Sequence, residues 1–335
     1  MQNEIIFSSE QGCKVWNTLS RISNDYNQED HPLELESKAS QLLMDILDGA
    51  TLKKISAVFD KGTSCHIILR NFITIKSLPL TPVDDKQPAM DGWRIPAIAL
   101  LGLLKLSGHS ARSFLDEMQG RLCHMVMPAK DSKKSFLRST KKLGFHTEVV
   151  NGYFVEEEPR PGAPVSPEIF GLLGLRNPDG IATTLLSLDY VLKNLSQEAI
   201  EELVKPQFSA TSQSSFDREI VIQNVAVLKK LNGGEMGLRY SHSKLMANNA
   251  RAAWALEELA FKIEQSEQVT EVVLNPGDVL ILNNRTCVHG RGAISGTQKF
   301  DGMDRWLIRI YGYKFETLSR LKTVPDKKHI ILVDA

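Results

Sequence analysis

The sequence predicts a mainly β protein with peripheral helices, whose core is a double-stranded β-helix, the jelly roll in which two sheets face each other. Two observations carry this prediction. Short segments with strand patterns fill the middle and C-terminal half of the 335 residues, while helical patterns lie near the N-terminus and between the strands. The regular alternation of strand and helix that marks a doubly wound parallel sheet is missing.

Helices are predicted where apolar residues recur at a spacing of three to four. The segments concerned are 32–52, 96–106, 196–203 and 248–265. Strands are predicted where Ile, Val, Leu, Phe and Thr are concentrated between turn residues. These segments are 65–75, 121–127, 144–150, 169–175, 182–188, 219–228, 269–274, 279–282 and 305–313.

The segment 156–167 holds four prolines, one glycine and three acidic residues, which predicts a surface loop. A lid could lie there. We expect one domain over 1–335. Within it, 1–115 would be an N-terminal support of helices and strands, 116–315 the jelly-roll core with the inserted lid and helices, and 316–335 a C-terminal tail.

Composition argues against several classes of protein. Lys plus Arg and Asp plus Glu both number 40, so the concentrated basic excess of a nucleic-acid binder is missing. The four cysteines form no CxxC pair, which disfavours a disulfide framework or structural zinc and favours a reducing compartment. The N-terminus lacks a signal-peptide pattern, and the longest apolar run is too short to span a bilayer. We therefore expect a soluble, cytoplasmic protein without a nucleic-acid or membrane partner; oligomeric state is not readable.

The pair His146 and Glu148 is the first candidate for a metal site. Alternate side chains of a strand point to the same face, so an imidazole and a carboxylate would lie side by side. They would form two corners of a facial triad that leaves positions open on a divalent metal. Alone, an HxE pair is more often a surface histidine beside an unrelated acid. His289 is the candidate third ligand, because a β-roll can bring remote strands together.

The segment 304–311, DRWLIRIY, predicts a carboxylate-binding site. With a period of two, Arg305 and Arg309 share one face of the strand, while Trp306 and Ile308 share the other. Two inward arginines are costly unless each meets an anion. A guanidinium matches a carboxylate in bidentate geometry, so each arginine is a candidate for an organic acid.

Together these motifs resemble the clavaminate synthase-like branch of the Fe(II)/2-oxoglutarate-dependent oxygenases, which is similar to the taurine dioxygenase group. The order matches over roughly 121–313: HTE, LLGLRNPDGIATTLLSL, NPGDVLILNNRTCVHGR and DGMDRWLIR. The resemblance implies a dioxygenase that uses Fe(II), 2-oxoglutarate and O2. It would hydroxylate an unactivated C–H bond of a free amino acid or similar small carboxylate, with release of succinate and CO2.

The resemblance also implies roles for residues around the cofactors. The iron ligands would be His146, Glu148 and His289. Arg305 would bind the distal carboxylate of 2-oxoglutarate, and Thr183 or Thr184 would donate a hydrogen bond to it, with a slight preference for Thr184. Halogenating relatives lack the carboxylate ligand, so Glu148 favours hydroxylation, or else desaturation.

For the substrate, the resemblance implies that Arg309 holds a carboxylate and that Glu117 and Gln119, in EMQGRL, contribute polar side chains. Basic-amino-acid hydroxylases of this branch often place acidic residues where the chain reads LRYSHSK. His242 and Lys244 stand there instead, which weakens the hypothesis of free lysine or arginine as substrate.

Two alternatives remain. A β-roll metalloenzyme could use Zn or Mn for hydrolysis or isomerisation, which needs a metal-bound water and a base but no carboxylate clamp. The inward Arg305 and Arg309 speak against it. A non-catalytic β-roll could bind a small acid as a sensor or scaffold, and the intact triad speaks against that.

Overall fold

The computed structural model describes residues 3–23, 31–59, 64–83, 88, 91–128, 140–294 and 298–333. Its strands are β1 Glu4–Ile6, β2 His66–Arg70, β3 His109–Phe114, β4 His124–Val126, β5 Leu143–His146, β6 Ile169–Arg176, β7 Ala182–Ser187, β8 Phe208–Thr211, β9 Val221–Val225, β10 Leu228–Lys230, β11 Met236–Leu238, β12 Leu245–Ala247, β13 Thr270–Val273, β14 Val279–Asn283, β15 Cys287–Arg291, β16 Trp306–Lys314, β17 Thr323–Val324 and β18 Lys327–Ile331. Its helices are α1 Ser9–Leu19, α2 Pro32–Ile46, α3 Gly49–Ala57, α4 Arg94–Leu106, α5 Leu188–Asn194, α6 Gln197–Leu203, α7 Ala250–Glu264 and α8 Phe315–Leu318.

Two sheets form the centre of the molecule. The larger one has the order β1-β2-β14-β6-β16-β3-β18-β17, with β4 also paired to β16, and the smaller one has the order β13-β7-β15-β5. Side chains from both sheets meet in one buried cluster, to which the larger sheet contributes Phe170, Leu280 and Leu307 and the smaller one Leu185 and Val272. This is the two-sheet arrangement of a jelly roll.

Helices cover the outer faces of both sheets. Helices α1, α2 and α4 pack on the larger sheet, where Ile281 and Ile308 alternate with the inward residues of their strands. α4 is apolar on nearly every side, as expected of a buried helix. Helices α5, α6 and α7 pack with the outer face of the smaller sheet, through Leu186 and Val288.

Most of the predicted elements are confirmed within a few residues, with some exceptions. The predicted strand 65–75 ends at Arg70, before Asn71, whose φ is 54°. The predicted helix 32–52 is two helices, because Asp48 accepts a hydrogen bond from the Thr51 N–H and so starts α3. The segment 219–228 contains β9 and the start of β10 rather than one strand. At the centre of the sequence, the predicted strand 144–150 ends early, at His146.

The larger sheet extends past the predicted limits of the core. β2 lies beside β14 and β3 beside β16, although both come from 1–115, and β18 from the predicted tail pairs with β3. The segment 156–167 is only partly a surface loop. Glu156 lies 3.2 Å from Arg285 and Glu157 lies 2.7 Å from Arg239, and residues 163–167 are buried.

In the part of the chain that is described, no helix combines the length and the apolar character needed to cross a lipid bilayer.

Candidate active site

His146 and His289 face each other across two strands of the smaller sheet. β5 and β15 are antiparallel, with His146 directly opposite His289, and their ring centroids are 4.1 Å apart. The Nδ1 atom of His146 lies 2.9 Å from the Gly144 carbonyl oxygen, which can only accept, so the proton is on Nδ1 and Nε2 keeps its lone pair. Burial, and then the neighbouring His289, lower the pKa of His146 to about 4, so its imidazole is neutral and able to ligate a metal.

Glu148 joins these histidines from outside the strand. The Thr147 N–H donates to the Tyr240 carbonyl at 2.8 Å, and the chain turns at Val149, whose φ is 54°. A Glu148 carboxylate oxygen lies 3.3 Å from Nε2 of His289, and one ligand atom from each of the three residues lies within 4.8 Å of the others. The prediction that Glu148 shares a strand face with His146 is wrong, because β5 ends at His146. The three side chains nevertheless meet.

Asn284 fixes the main chain of Glu148. Its Oδ1 accepts from the Glu148 N–H at 2.7 Å, and its Nδ2 donates to the Glu148 carbonyl at 3.0 Å and to the Pro167 carbonyl at 2.9 Å. The amide is fully buried. Asn284 is not recognisable as a site residue from the sequence, because no local pattern reveals a contact between residues so far apart in the chain.

Arg305 lies just before β16 and is buried beside the three candidate ligands. Arg305 lines a narrow space between the two sheets that we call the inner cavity. The three candidate ligands, Thr183 and Arg309 line the same cavity. The Nε and Nη1 atoms of Arg305 have no hydrogen-bond partner among the residues that the structure describes. Burial, and then the Arg291 guanidinium, lower the pKa of Arg305 to about 9. A buried guanidinium with unused donors is the signature of a site for an anion.

The two threonines of β7 point in opposite directions. Thr183 is buried, pairs with Arg291 of β15 and lines the inner cavity. Thr184 pairs with Gly290 and lies on the other face of the strand, since successive side chains alternate. The preference for Thr184 is therefore wrong: Thr183 is the threonine that can reach a molecule in this cavity.

Arg309 connects the candidate ligands with a second acid. Its Nη1 donates to Oε1 of Glu148 at 2.6 Å, and its Nη2 lies 3.4 Å from Oε1 of Glu117. Although burial acts in the opposite sense, Arg309 and then His289 hold the pKa of Glu148 well below its ordinary value. Arg309 keeps its Nε without a partner in the described structure, so it retains a donor for a further anion.

Glu117 and Gln119 differ in their surroundings. Glu117 is completely buried and accepts hydrogen bonds from Ser215 at 2.7 Å and from Tyr311 at 3.1 Å, and burial raises its pKa to about 7. It therefore supports Arg309 from behind. Gln119 is exposed and has a φ of 61°. It lines neither the inner cavity nor the neighbouring cavity whose walls come from 142–145, 213–215 and 241–244. Its expected place at the substrate is not what the structure shows.

The residues present fit both cofactors implied by the sequence. Two imidazole nitrogens and one carboxylate are the donor set of a facial triad for Fe(II) that leaves further positions open. The unused donors of Arg305 face the same cavity and match a carboxylate.

Comparison with known proteins agrees with this geometry. Residues 136–311 match the family model described as taurine catabolism dioxygenase TauD, TfdA family. The chain is 30% identical over 268 residues to an L-asparagine oxygenase of Streptomyces coelicolor, covering 78% of this chain and 75% of that protein. It is 24% identical to an L-lysine 3-hydroxylase of Catenulispora acidiphila, covering 73% of this chain and 66% of that protein.

A solved structure is similar over nearly the whole chain. It is an asparagine oxygenase in complex with Fe(II), 2S,3S-3-hydroxyasparagine and succinate, with a TM-score of 0.81, 22% identity, and coverage of 98% of this chain and 99% of that chain. The likeness confirms the predicted jelly-roll fold. With the family match over more than half of the residues, it follows that this chain belongs to the TauD/TfdA family of dioxygenases.

Proposed function

We propose that this chain is an Fe(II)- and 2-oxoglutarate-dependent dioxygenase that hydroxylates a C–H bond of a free amino acid. One observation carries the proposal. The guanidinium of Arg305, with two donors that have no partner among the described residues, is buried in the same cavity as His146, Glu148 and His289. A candidate metal site and a candidate carboxylate site therefore lie side by side. The relatives named above, which act on asparagine and lysine, support an amino acid as the substrate.

His146, Glu148 and His289 would hold the iron, and Arg305 with Thr183 would hold the distal carboxylate of 2-oxoglutarate. When bound, Fe(II) and 2-oxoglutarate supply the activation of O2 and the decarboxylation to succinate and CO2. A carboxylate in the third ligand position leaves no place there for a halide, which favours hydroxylation. The walls of the inner cavity, with Phe170 packed 4.7 Å from the His289 ring, would keep water away from the reacting atoms.

Arg309 would bind the carboxylate of the amino acid. Its free Nε is the donor for this contact, and its bond to Glu148 would hold the substrate next to the metal. Glu117 would fix the guanidinium from the far side.

Single alanine substitutions of the candidate ligands test the proposal. His146→Ala and His289→Ala should abolish amino-acid-dependent formation of succinate from 2-oxoglutarate, because neither leaves three ligands. Circular dichroism should show that the fold is retained. His109→Ala is the matched control, since His109 is also buried but lies on β3, where its Nδ1 contacts the carbonyl oxygen of Ser107. Wild-type rates of succinate formation in either ligand variant would contradict the assignment, as would failure of the wild type to bind Fe(II) and 2-oxoglutarate in anaerobic absorption spectra.

A further inference from the structure

We propose that the substrate's side chain ends in a carbonyl oxygen, as carboxamides and carboxylates do, and that Lys244 recognises it. The inference rests on the proposed function and concerns the same site. It excludes lysine-like and arginine-like side chains, which end in a cation.

The space where a substrate would enter is a cavity of about 240 Å³ that we call the outer cavity. His146, Glu148 and Arg309 lie at its floor, shared with the inner cavity. Its walls come from 142–145, 213–215 and 241–244. The volume accommodates a small molecule such as an amino acid directly above the candidate metal site.

The wall 241–244 is tied to the metal-binding strand. Ser241 forms a β-bridge with His146, and the Thr147 N–H donates to the Tyr240 carbonyl at 2.8 Å. A Cβ atom on Gly144 would lie 3.5 Å from the Cβ of His242, so the two segments are in close contact. Side chains on this wall are therefore held at a fixed height above the candidate ligands.

The lysine and histidine side chains on the walls of this cavity are not equivalent. Lys142 lies 3.8 Å and His242 lies 4.0 Å from the carboxylate of Glu264, which is outside the cavity. Lys244 is half-buried, and within the described residues no carboxylate forms an ion pair with it. Its ammonium group is thus a positive charge that no described acidic side chain compensates, at a wall of the outer cavity.

The acidic side chains of the outer cavity lead to the same conclusion. Glu148 is the only carboxylate among its described lining residues, and it is bonded to Arg309 and proposed as a metal ligand. A lysine, ornithine or arginine side chain would therefore meet Lys244 without a carboxylate to pair with, and like charges brought together are unfavourable. A carbonyl oxygen, with two lone pairs, can accept one hydrogen bond from the Lys244 ammonium and a second from the hydroxyl of Ser241 or Ser243 on the same wall.

Substrate preference can be measured directly on the full chain. Aspartate, asparagine, glutamate and glutamine are compared with lysine, ornithine and arginine, each titrated calorimetrically under anaerobic conditions into protein loaded with Fe(II) and 2-oxoglutarate. Turnover is followed in parallel as a mass gain of one oxygen atom. We expect the carbonyl-bearing group to bind at least tenfold more tightly than the cationic group. The difference between aspartate and asparagine then shows whether the oxygen belongs to a carboxylate or a carboxamide.

Three variants test whether Lys244 causes this substrate preference. Lys244→Met should weaken the best carbonyl-bearing ligand at least tenfold, and Lys244→Glu should shift the preference towards the cationic amino acids. Lys229→Glu is the matched control, because Lys229 is also half-buried but lies on β10, away from the residues that line the outer cavity. It should leave the preference unchanged.

The outcomes separate this inference from the proposed function. If Fe(II) and 2-oxoglutarate bind but the tightest amino acid is cationic, no carbonyl-bearing amino acid binds, or the Lys244 variants keep the wild-type preference, the inference is overturned and the proposed function stands. If neither Fe(II) nor 2-oxoglutarate binds, the proposed function fails, and the inference fails with it.

Discussion

Replacing Arg305 by methionine should stabilise the protein without cosubstrate and at the same time remove its affinity for 2-oxoglutarate. The fall in the pKa of Arg305 from 12.5 to about 9 is equivalent to about 5 kcal/mol against the charged form, at about 1.36 kcal/mol for each pKa unit. Methionine fills a similar space without a charge. Because replacement of costly buried ions by apolar side chains has stabilised proteins by about 1–4 kcal/mol, we expect a gain of that size in the free energy of unfolding.

The loss in affinity follows from the donors that disappear. Hydrogen bonds to charged groups contribute about 1.5–3 kcal/mol each, so two of them to one carboxylate correspond to at least a hundredfold in the dissociation constant. The assay is anaerobic thermal unfolding with Fe(II), with and without 2-oxoglutarate. Cosubstrate at about 100 times its dissociation constant should stabilise the wild type by about 2.7 kcal/mol, and Arg305→Met should show no such rise.

Arg309→Met is the control, because it should change the stability of the protein in the opposite direction. Its guanidinium is paired with Glu148 at 2.6 Å, and removal of one partner of a buried pair costs about 3–5 kcal/mol because the other charge stays buried. The metal-free variant should therefore unfold at a lower temperature than the wild type. A loss of stability in Arg305→Met as large as that in Arg309→Met, or a wild-type response to 2-oxoglutarate, would refute the claim that Arg305 awaits an anion.

Two further predictions concern residues that the sequence left undecided or missed. Thr183→Val should weaken 2-oxoglutarate binding about tenfold or more, because a hydrogen bond to a charged group is lost. Thr184→Val should leave the dissociation constant, measured by calorimetry, near that of the wild type. Equal effects of the two substitutions would contradict the orientation of the two side chains. Asn284→Ala should lower Fe(II) affinity about 10- to 100-fold, as loss of a group that positions a ligand does, and should lower stability in denaturant titrations because it leaves the buried N–H and carbonyl of Glu148 unpaired; an unchanged Fe(II) affinity would show that Glu148 needs no such clamp.

The features that could be predicted from the sequence are those that depend on the repeat of side chains along one strand or one helix. Arg305, just before β16, and Arg309, on β16, face the cavity while Trp306 and Ile308 pack against the helices, because side chains alternate along an extended chain. The helix α7 was visible for the same reason, through its apolar repeat.

What could not be predicted depends on partners remote in sequence. β3 reads HSARSF, which lacks the apolar pattern of a buried strand, yet all six residues are buried. The carboxylate of Glu36, on α2, accepts from the Ser110 hydroxyl and from the Ala111 N–H at 2.9 Å, and this satisfies polar groups that would otherwise oppose burial. The choice between Thr183 and Thr184 was likewise undetermined, since one residue of register reverses which side chain faces inward.

The charges around the inner cavity explain why the site suits a dianionic cosubstrate. Three buried guanidinium groups, those of Arg291, Arg305 and Arg309, line it, but the only carboxylate among its described lining residues is Glu148. Glu117 lies behind Arg309 and, with a pKa raised by burial to about 7, contributes only part of a second negative charge. A divalent metal on His146, Glu148 and His289 would enlarge this positive excess. The described lining of the inner cavity therefore lacks negative charge in the ligand-free protein. 2-Oxoglutarate and the carboxylate of an amino acid would supply it, each at an arginine with a donor that has no partner among the described residues.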